Sequence, residues 1–409
     1  MSVWPHMNKS SYLQPICRVL TVLAISTGLV ACGDNSLFSK DDEKILQEKQ
    51  IKRLIPPHAS NRESWAKDMS DIMDELKIEK SKQNVCTIVA IIDQESNFVA
   101  NPRVPGLGKK AVAEVNTRLQ EKFTDKLGET LGTPIAGYFE KVLKTQPSPE
   151  NSYLKQLGKV KTEQDVDVLY RQIFDYMSKH YHVSALTGAA KLVGQDIGER
   201  MNPVTTLGSM QVLVRYAQDH QKDRMNVNEL RDYLYTQYGG MYYGIHRLMM
   251  YKADYDKPIY RFADYNSGMY SSRNASVQKA LNTLTDSELS LDGDLLLYDK
   301  NENVQSAQSS TELAISKLFA QNGVIITARQ LRSDLKEEKT QNFEKTQTYL
   351  TIAKLYQQKT EKEMPYAVMP QVVISGPKLS RDYNTNWYAS RVNGRYETCM
   401  HRAKRLKES

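Results

Sequence analysis

Glu95 is the residue of this chain best placed to move a proton. It lies in the stretch Gln94-Glu95-Ser96-Asn97-Phe98, directly after the apolar run Val85 to Ile92. At helical spacing Val85, Ile88, Val89 and Ile92 share one face, and Glu95 and Ser96 extend that face. A carboxylate at the end of a buried stripe loses solvation, which favours its protonated form near neutral pH, as a general acid requires. The alternative is a helix that simply ends there, with Glu95 at the solvent edge. Asp93, two residues earlier, points elsewhere on a helix and is a poorer partner. Other chemistries lack their residues: no Cys/His pairing has zinc spacing, and no Gly-rich phosphate loop or Gly-x-Ser-x-Gly elbow occurs. Neither a metal nor an organic cofactor is implied.

The elements that must position Glu95 read as helices. A charged helical segment spans Asp42 to Lys52 and is stopped by Pro56-Pro57. A second covers Ser60 to Lys77, with Trp65, Met69, Ile72 and Met73 on one side, and the helix carrying Glu95 follows. Asn101-Pro102-Arg103-Val104-Pro105-Gly106 is a turn-rich break. Residues 109 to 200 form a long amphipathic helical stretch, and Gly208-Ser209-Met210-Gln211-Val212 reads as the start of another helix. Ten of the 24 tyrosines fall between Tyr233 and Tyr270, most of them suited to helix packing. Beyond residue 276, helical segments alternate with polar loops, and Glu337 to Lys354 reads as one long helix. The charge runs Lys359 to Lys362 and Arg402 to Lys407 read as solvated faces. The fold class is mostly α.

The 409 residues are 40% hydrophobic and 25% charged, ordinary for a globular body. The net charge of +7 includes Lys9 and Arg18, leaving about +5 scattered among nearly as many negatives. That balance suits a surface meeting an acidic polymer and is too weak to imply nucleic acid. Residues 1–31 read as a secretory signal whose apolar part, Val19 to Ala31, is too short for a stable transmembrane helix. Its end, Leu29-Val30-Ala31-Cys32, looks like the lipobox of bacterial lipoproteins, in which the Cys is acylated and becomes the new N-terminus. In such anchors an Asp after the Cys favours inner-membrane retention; here Gly33 stands there, so the expected place is the periplasmic face of the outer membrane. Multiple acyl chains on Cys32 hold a protein to a membrane without a spanning helix. Residues 32–45 read as a tether. With Cys17 removed and Cys32 lipidated, Cys86 and Cys399 remain as an even pair in an oxidising compartment. A disulfide tying the C-terminus to the Glu95 helix is expected, with two buried free thiols as the alternative.

Three short motifs now stand in order: Glu95-Ser96-Asn97-Phe98, Gly208-Ser209-Met210-Gln211-Val212 and Asp264-Tyr265-Asn266-Ser267-Gly268. The succession resembles the goose-type-lysozyme-like lytic transglycosylases, which carry a Glu-Ser pair after an apolar helix, a Gly-Leu-Met-Gln-like turn and Ala-Tyr-Asn-Ala-Gly. The mature chain as a whole is similar to an uncharacterised family of Gram-negative lipoproteins, a domain of unknown function. Tyr260-Arg261-Phe262-Ala263-Asp264-Tyr265-Asn266 and Leu291-Asp292-Gly293-Asp294-Leu295 carry that likeness.

The resemblance implies a lysozyme-like catalytic region over 46–275 with a helical subdomain inserted at about 107–200, followed by a helical C-terminal region over 276–409. The insertion follows from spacing, since Gln211 comes 116 residues after Glu95. The implied substrate is the peptidoglycan glycan strand, cleaved between N-acetylmuramic acid and N-acetylglucosamine with a 1,6-anhydro product. Glu95 is the implied acid and base. Ser96, Met210, Gln211, Tyr243, Tyr265 and Asn266 are the implied sugar contacts, with Met210 also readable as core and Ser96 as a helix-end polar residue. Ser209 and Asp264 depart from the pattern, where Leu and Ala are usual. A cleft-facing Asp264 could activate water and make the enzyme a hydrolytic muramidase. A further alternative is a glycan-binding or scaffold lipoprotein that keeps the groove without turnover.

Overall fold

The computed structural model describes residues 45–180, 199, 202–299, 303–374 and 382–406. The expected leader 1–31, the expected lipidation residue Cys32 and the rest of the expected tether to residue 44 lie outside the described residues, as do residues 181–198 and 200–201.

The helices run α1 Glu48–Leu54, α2 Arg62–Glu75, α3 Lys82–Ser96, α4 Leu107–Leu127, α5 Glu129–Thr145, α6 Tyr153–Leu157 and α7 Glu163–His180. A two-stranded hairpin follows, β1 Thr206–Leu207 against β2 Val212–Leu213. Then come α8 Val214–Asp219, α9 Val227–Leu234, α10 Gln237–Met249, α11 Pro258–Ser267, α12 Ser271–Leu284, α13 Ser310–Gln321, α14 Ala328–Leu335 and α15 Gln347–Thr360. A second hairpin, β3 Val373–Ile374 with β4 Tyr383–Asn384, leads into α16 Thr385–Lys404. The fold is mostly α, as the sequence predicts. No helix among the described residues is long and apolar enough to cross a membrane.

Three hydrophobic cores divide the described chain. One gathers α1–α3, the first hairpin, α8–α11 and α16. A second belongs to α4–α7 and centres on Phe123, Phe139, Ile173 and Phe174. A third packs α12–α15 around Val277, Leu281, Leu318 and Phe343. Buried arginines fasten the seams. Arg231 on α9 donates from Nε to Asp167 Oδ1 on α7 at 2.7 Å and from Nη1 to Glu199 Oε1 at 3.0 Å. Arg273 on α12 pairs with Glu344 at 3.0 Å and lies 4.2 Å over the Tyr270 ring.

The region 276–409 is therefore not a single C-terminal extension. Its last helix, α16, leaves the third core and packs along α3 and α11 in the first. Cys86 on α3 and Cys399 on α16 form the expected disulfide, with Cα atoms 5.4 Å apart. The predicted helix over Glu337 to Lys354 is broken in two, a 3-10 turn Gln341–Lys345 and then α15. Thr340 and Thr346 cause the break, each accepting a backbone N–H as an N-cap.

The α3 helix is the axis of the first core. Ser81 caps its start, accepting from Asn84 N at 3.1 Å. Every residue from Val85 to Asp93 is buried, so the helix is wrapped on all sides rather than along one stripe. It ends in two consecutive left-handed residues, Asn97 (φ 50°) and Phe98 (φ 60°). Asn tolerates that region; a bulky aromatic does so only under constraint. The constraint here is burial of the Phe98 ring edge-on against Trp65, with centroids 5.3 Å apart.

Candidate functional site

Glu95 occupies the last turn of α3, half-buried. The Tyr388 hydroxyl, carried by α16, donates to Glu95 Oε1 across a separation of 293 residues. Burial first, and then the negative charge of Glu95, push the Tyr388 phenol well above its usual range, so it stays a protonated donor. Tyr265 on α11 joins the same cluster. Its hydroxyl donates to the Met210 carbonyl at 2.7 Å, and the Arg247 guanidinium lies 4.7 Å over its ring. Burial raises the Tyr265 phenol; Arg247 opposes that shift and Glu95 reinforces it. The Tyr216 hydroxyl extends the row, 2.7 Å from His246 Nδ1. Burial, then neighbouring His220, lower the His246 pKa from its ordinary value.

The second motif is not the start of a helix. Gly208 to Gln211 form the tip of the first hairpin, with Gln211 N donating to Gly208 O at 3.1 Å. Gly208 (φ 76°) and Gln211 (φ 50°) both lie in the left-handed region, which a helix excludes. The tip rests on a glycine-lined face of α10. A Cβ on Gly208 would stand 2.3 Å from Leu234 O, and one on Gly244 would stand 2.4 Å from Met210 Sδ. Glycine at these two positions is what lets the Met210 carbonyl reach Tyr265.

Several residues assigned to sugar binding do other work. The Met210 side chain is buried on Gly244. Ser96 is buried and donates to Ile92 O at 3.1 Å, within its own helix. Tyr243 is 1% exposed and packs edge-on against Tyr233 and Tyr242. Gln211 accepts from Thr206 Oγ1 at 3.0 Å and donates to Glu163 Oε2 at 3.1 Å, which ties the hairpin tip to α7. Tyr265 is buried, acting through the Met210 carbonyl, whereas Asn266 beside it is exposed.

Asp264 does not face a cleft. It is 1% exposed and accepts from Tyr251 Oη (3.2 Å), Tyr255 Oη (2.5 Å), Tyr270 N (2.9 Å), Ser271 Oγ (3.0 Å) and Ser272 N (2.8 Å). Five donors saturate both oxygens, leaving no lone pair aimed at a water. The carboxylate joins the end of α11 to the start of α12. This removes the base that the hydrolytic muramidase reading needs.

Pattern reading missed Tyr388, Arg247, Tyr216 and His246. One signal for Tyr388 was present: a helix tied by Cys399 to Cys86 and running antiparallel to α3 brings the residue three turns before Cys399 to the Glu95 end. Among the described residues no group of His, Cys, Asp and Glu could hold a metal ion.

A family model described as "Protein of unknown function (DUF1615)" matches residues 58–402. The chain belongs to this family. The match takes in α3, the hairpin tip, α11 and Tyr388, and so every residue of the Glu95 cluster. A relative from Escherichia coli (strain K12), "Uncharacterized protein YaiW", is 31% identical over 388 residues, covering 93% of this chain and 98% of the relative. No solved structure matches the chain.

Proposed function

We propose that this member of the family is an outer-membrane-anchored lytic transglycosylase, with Glu95 as its single acid and base. The observation that carries the reading is convergence. Three motifs spread over 170 residues of sequence form one chain of contacts: the Tyr265 hydroxyl holds the Met210 carbonyl of the second motif, and both Tyr265 and Tyr388 feel the charge of Glu95.

The chemistry needs one carboxyl group used twice. Glu95 donates its proton to the glycosidic oxygen as the bond from muramoyl C1 breaks. The substrate's acetamido carbonyl shields the cation that develops at C1. Glu95, now a carboxylate, takes the proton of the muramoyl C6 hydroxyl while O6 closes on C1. Tyr388 fixes the carboxyl orientation through Oε1, and its phenol keeps its own proton throughout. Exposed Asn266 is the amide available to a substrate acetamido group. Engagement of Asp264 by five donors favours a one-carboxylate lyase over a two-carboxylate hydrolase. The Cys86–Cys399 disulfide suits an oxidising envelope compartment, and Cys32 is the proposed lipid attachment site.

Product analysis tests the reading. Purified sacculi are digested with the disulfide-intact soluble body, and the released muropeptides are weighed by mass spectrometry. Anhydro-muropeptides are expected. Reducing-end products would require a water-activating base instead. Retention on sacculi with no product released would instead establish a glycan-binding scaffold.

A further inference from the structure

The side of α3 away from Glu95 carries a second feature. Asp93 lies two residues earlier, about 200° round the helix, and helps to line a cavity of about 420 Å³ between residues 56–58, α3 and α16. That volume is within the range of small-molecule sites. Arg391, Arg395, Thr398 and Arg402 fall on one side of α16, at successive turns, and line it with His58 and Asp93.

Charge is unbalanced there. Asp93 is the one carboxylate of the lining: its Oδ1 lies 2.8 Å from His58 Nε2, and its Oδ2 forms an ion pair with Arg395 Nε at 3.1 Å without a hydrogen bond. Arg391 has no carboxylate at the cavity and rests with Cζ 5.2 Å from the Trp387 ring centre. Arg402 is half-buried, and its Nε is shut from solvent with no hydrogen-bond partner. Burial lowers the Arg402 pKa from its ordinary value, opposed by the charge of Asp93. Three guanidinium groups against one carboxylate leave two positive charges facing the cavity. The orphaned donor of half-buried Arg402 is costly unless an anion completes it, and exposed, solvated Arg391 adds its charge at the mouth. The arginine fork and a threonine hydroxyl are the donors that oxyanions use. Pro56, Pro57 and Val89 form the apolar remainder, able to cover a small carbon body.

We propose that this cavity is a binding site for a small organic anion carrying two negative charges on oxygen, either a phosphate monoester or a compact dicarboxylate, held by Arg391, Arg402 and Thr398. The site is independent of the Glu95 chemistry and stands whether or not the chain cleaves glycan.

The test is calorimetric titration of the disulfide-intact soluble body at neutral pH with inorganic phosphate and, separately, with succinate. Sodium chloride and acetate at matched ionic strength are the controls. Saturable binding of one or both dianions is expected. Saturation by phosphate alone assigns a phosphoryl ligand, and saturation by succinate alone assigns a dicarboxylate. R402Q and R391Q are each expected to weaken the dissociation constant about tenfold or more. Arg391 is exposed, so R391Q reads binding without disturbing the fold. No saturable response from either dianion up to about 10 mM, or affinities unchanged in both variants, would overturn the proposal.

Discussion

Two carboxylates belong to motifs of the same resemblance, and the molecule treats them in opposite ways. Asp264 sits in a closed nest of five donors between α11 and α12, with every lone pair engaged. Glu95 ends a helix buried on all sides, is itself half-buried, and is steadied by a phenol from the far end of the chain. What separates them is access: the Asp264 carboxylate is 1% exposed behind its five donors, whereas Glu95 is only half-buried and can be reached from solvent.

Asp264→Asn should give the largest effect on stability. The amide cannot accept from five donors, so about 3 to 5 kcal/mol should be lost in urea unfolding. A loss below about 1 kcal/mol would return Asp264 to the list of reactive groups.

A third acid sharpens the contrast. Burial raises Glu338 from its ordinary 4.5 to about 7, against the hydrogen bonds donated by Tyr298 and by Leu295 N. The folded state then holds this proton more tightly than the unfolded chain does between those pH values. Its contribution to stability is full below the unfolded value and declines as pH rises through about 7. Glu338→Gln should remove up to about 3 kcal/mol of that pH dependence, read from unfolding curves at several pH values.

Tyr388→Phe should cut glycan cleavage about 10- to 100-fold, the worth of a hydrogen bond to a charged group. Unfolding should shift by only about 1 kcal/mol. If stability falls as far as activity, Tyr388 is a packing residue. Smallest of all, Ser96→Ala and Tyr243→Phe should leave cleavage within about twofold, a change of under 0.5 kcal/mol in the barrier. A larger loss in either would restore that residue to the sugar-binding set.

Much of the frame was legible in the sequence. The apolar run before Glu95, the Ser60 to Lys77 helix and the Cys86–Cys399 pairing depend on periodicity and cysteine number, both of which sequence carries directly. The wrapping of α3 was legible only in part. Spacing picks out Val85, Ile88, Val89 and Ile92, yet Cys86, Thr87, Ala90 and Ile91 make the opposite face equally apolar. The hairpin tip was misread because Gln211 adopts a left-handed φ that its residue type does not advertise. Asp264 looked reactive because its donors, Tyr251, Tyr255 and Ser271 among them, converge only after α11 and α12 pack. Tyr388 needed contact over 293 residues, which local pattern cannot supply. The Arg402 to Lys407 run read as solvated charge, although Arg402 turns inward to the cavity beside Asp93.

The most direct measurement is the rate of anhydro-muropeptide release from sacculi by Glu95→Gln relative to the unsubstituted body, with both proteins equally folded and disulfide-bonded. Glutamine keeps the shape of the side chain and loses its titratable proton, so release should fall about 100- to 10,000-fold. An unchanged rate in Glu95→Gln, or no release from the parent protein, would contradict the assignment of proton transfer to Glu95.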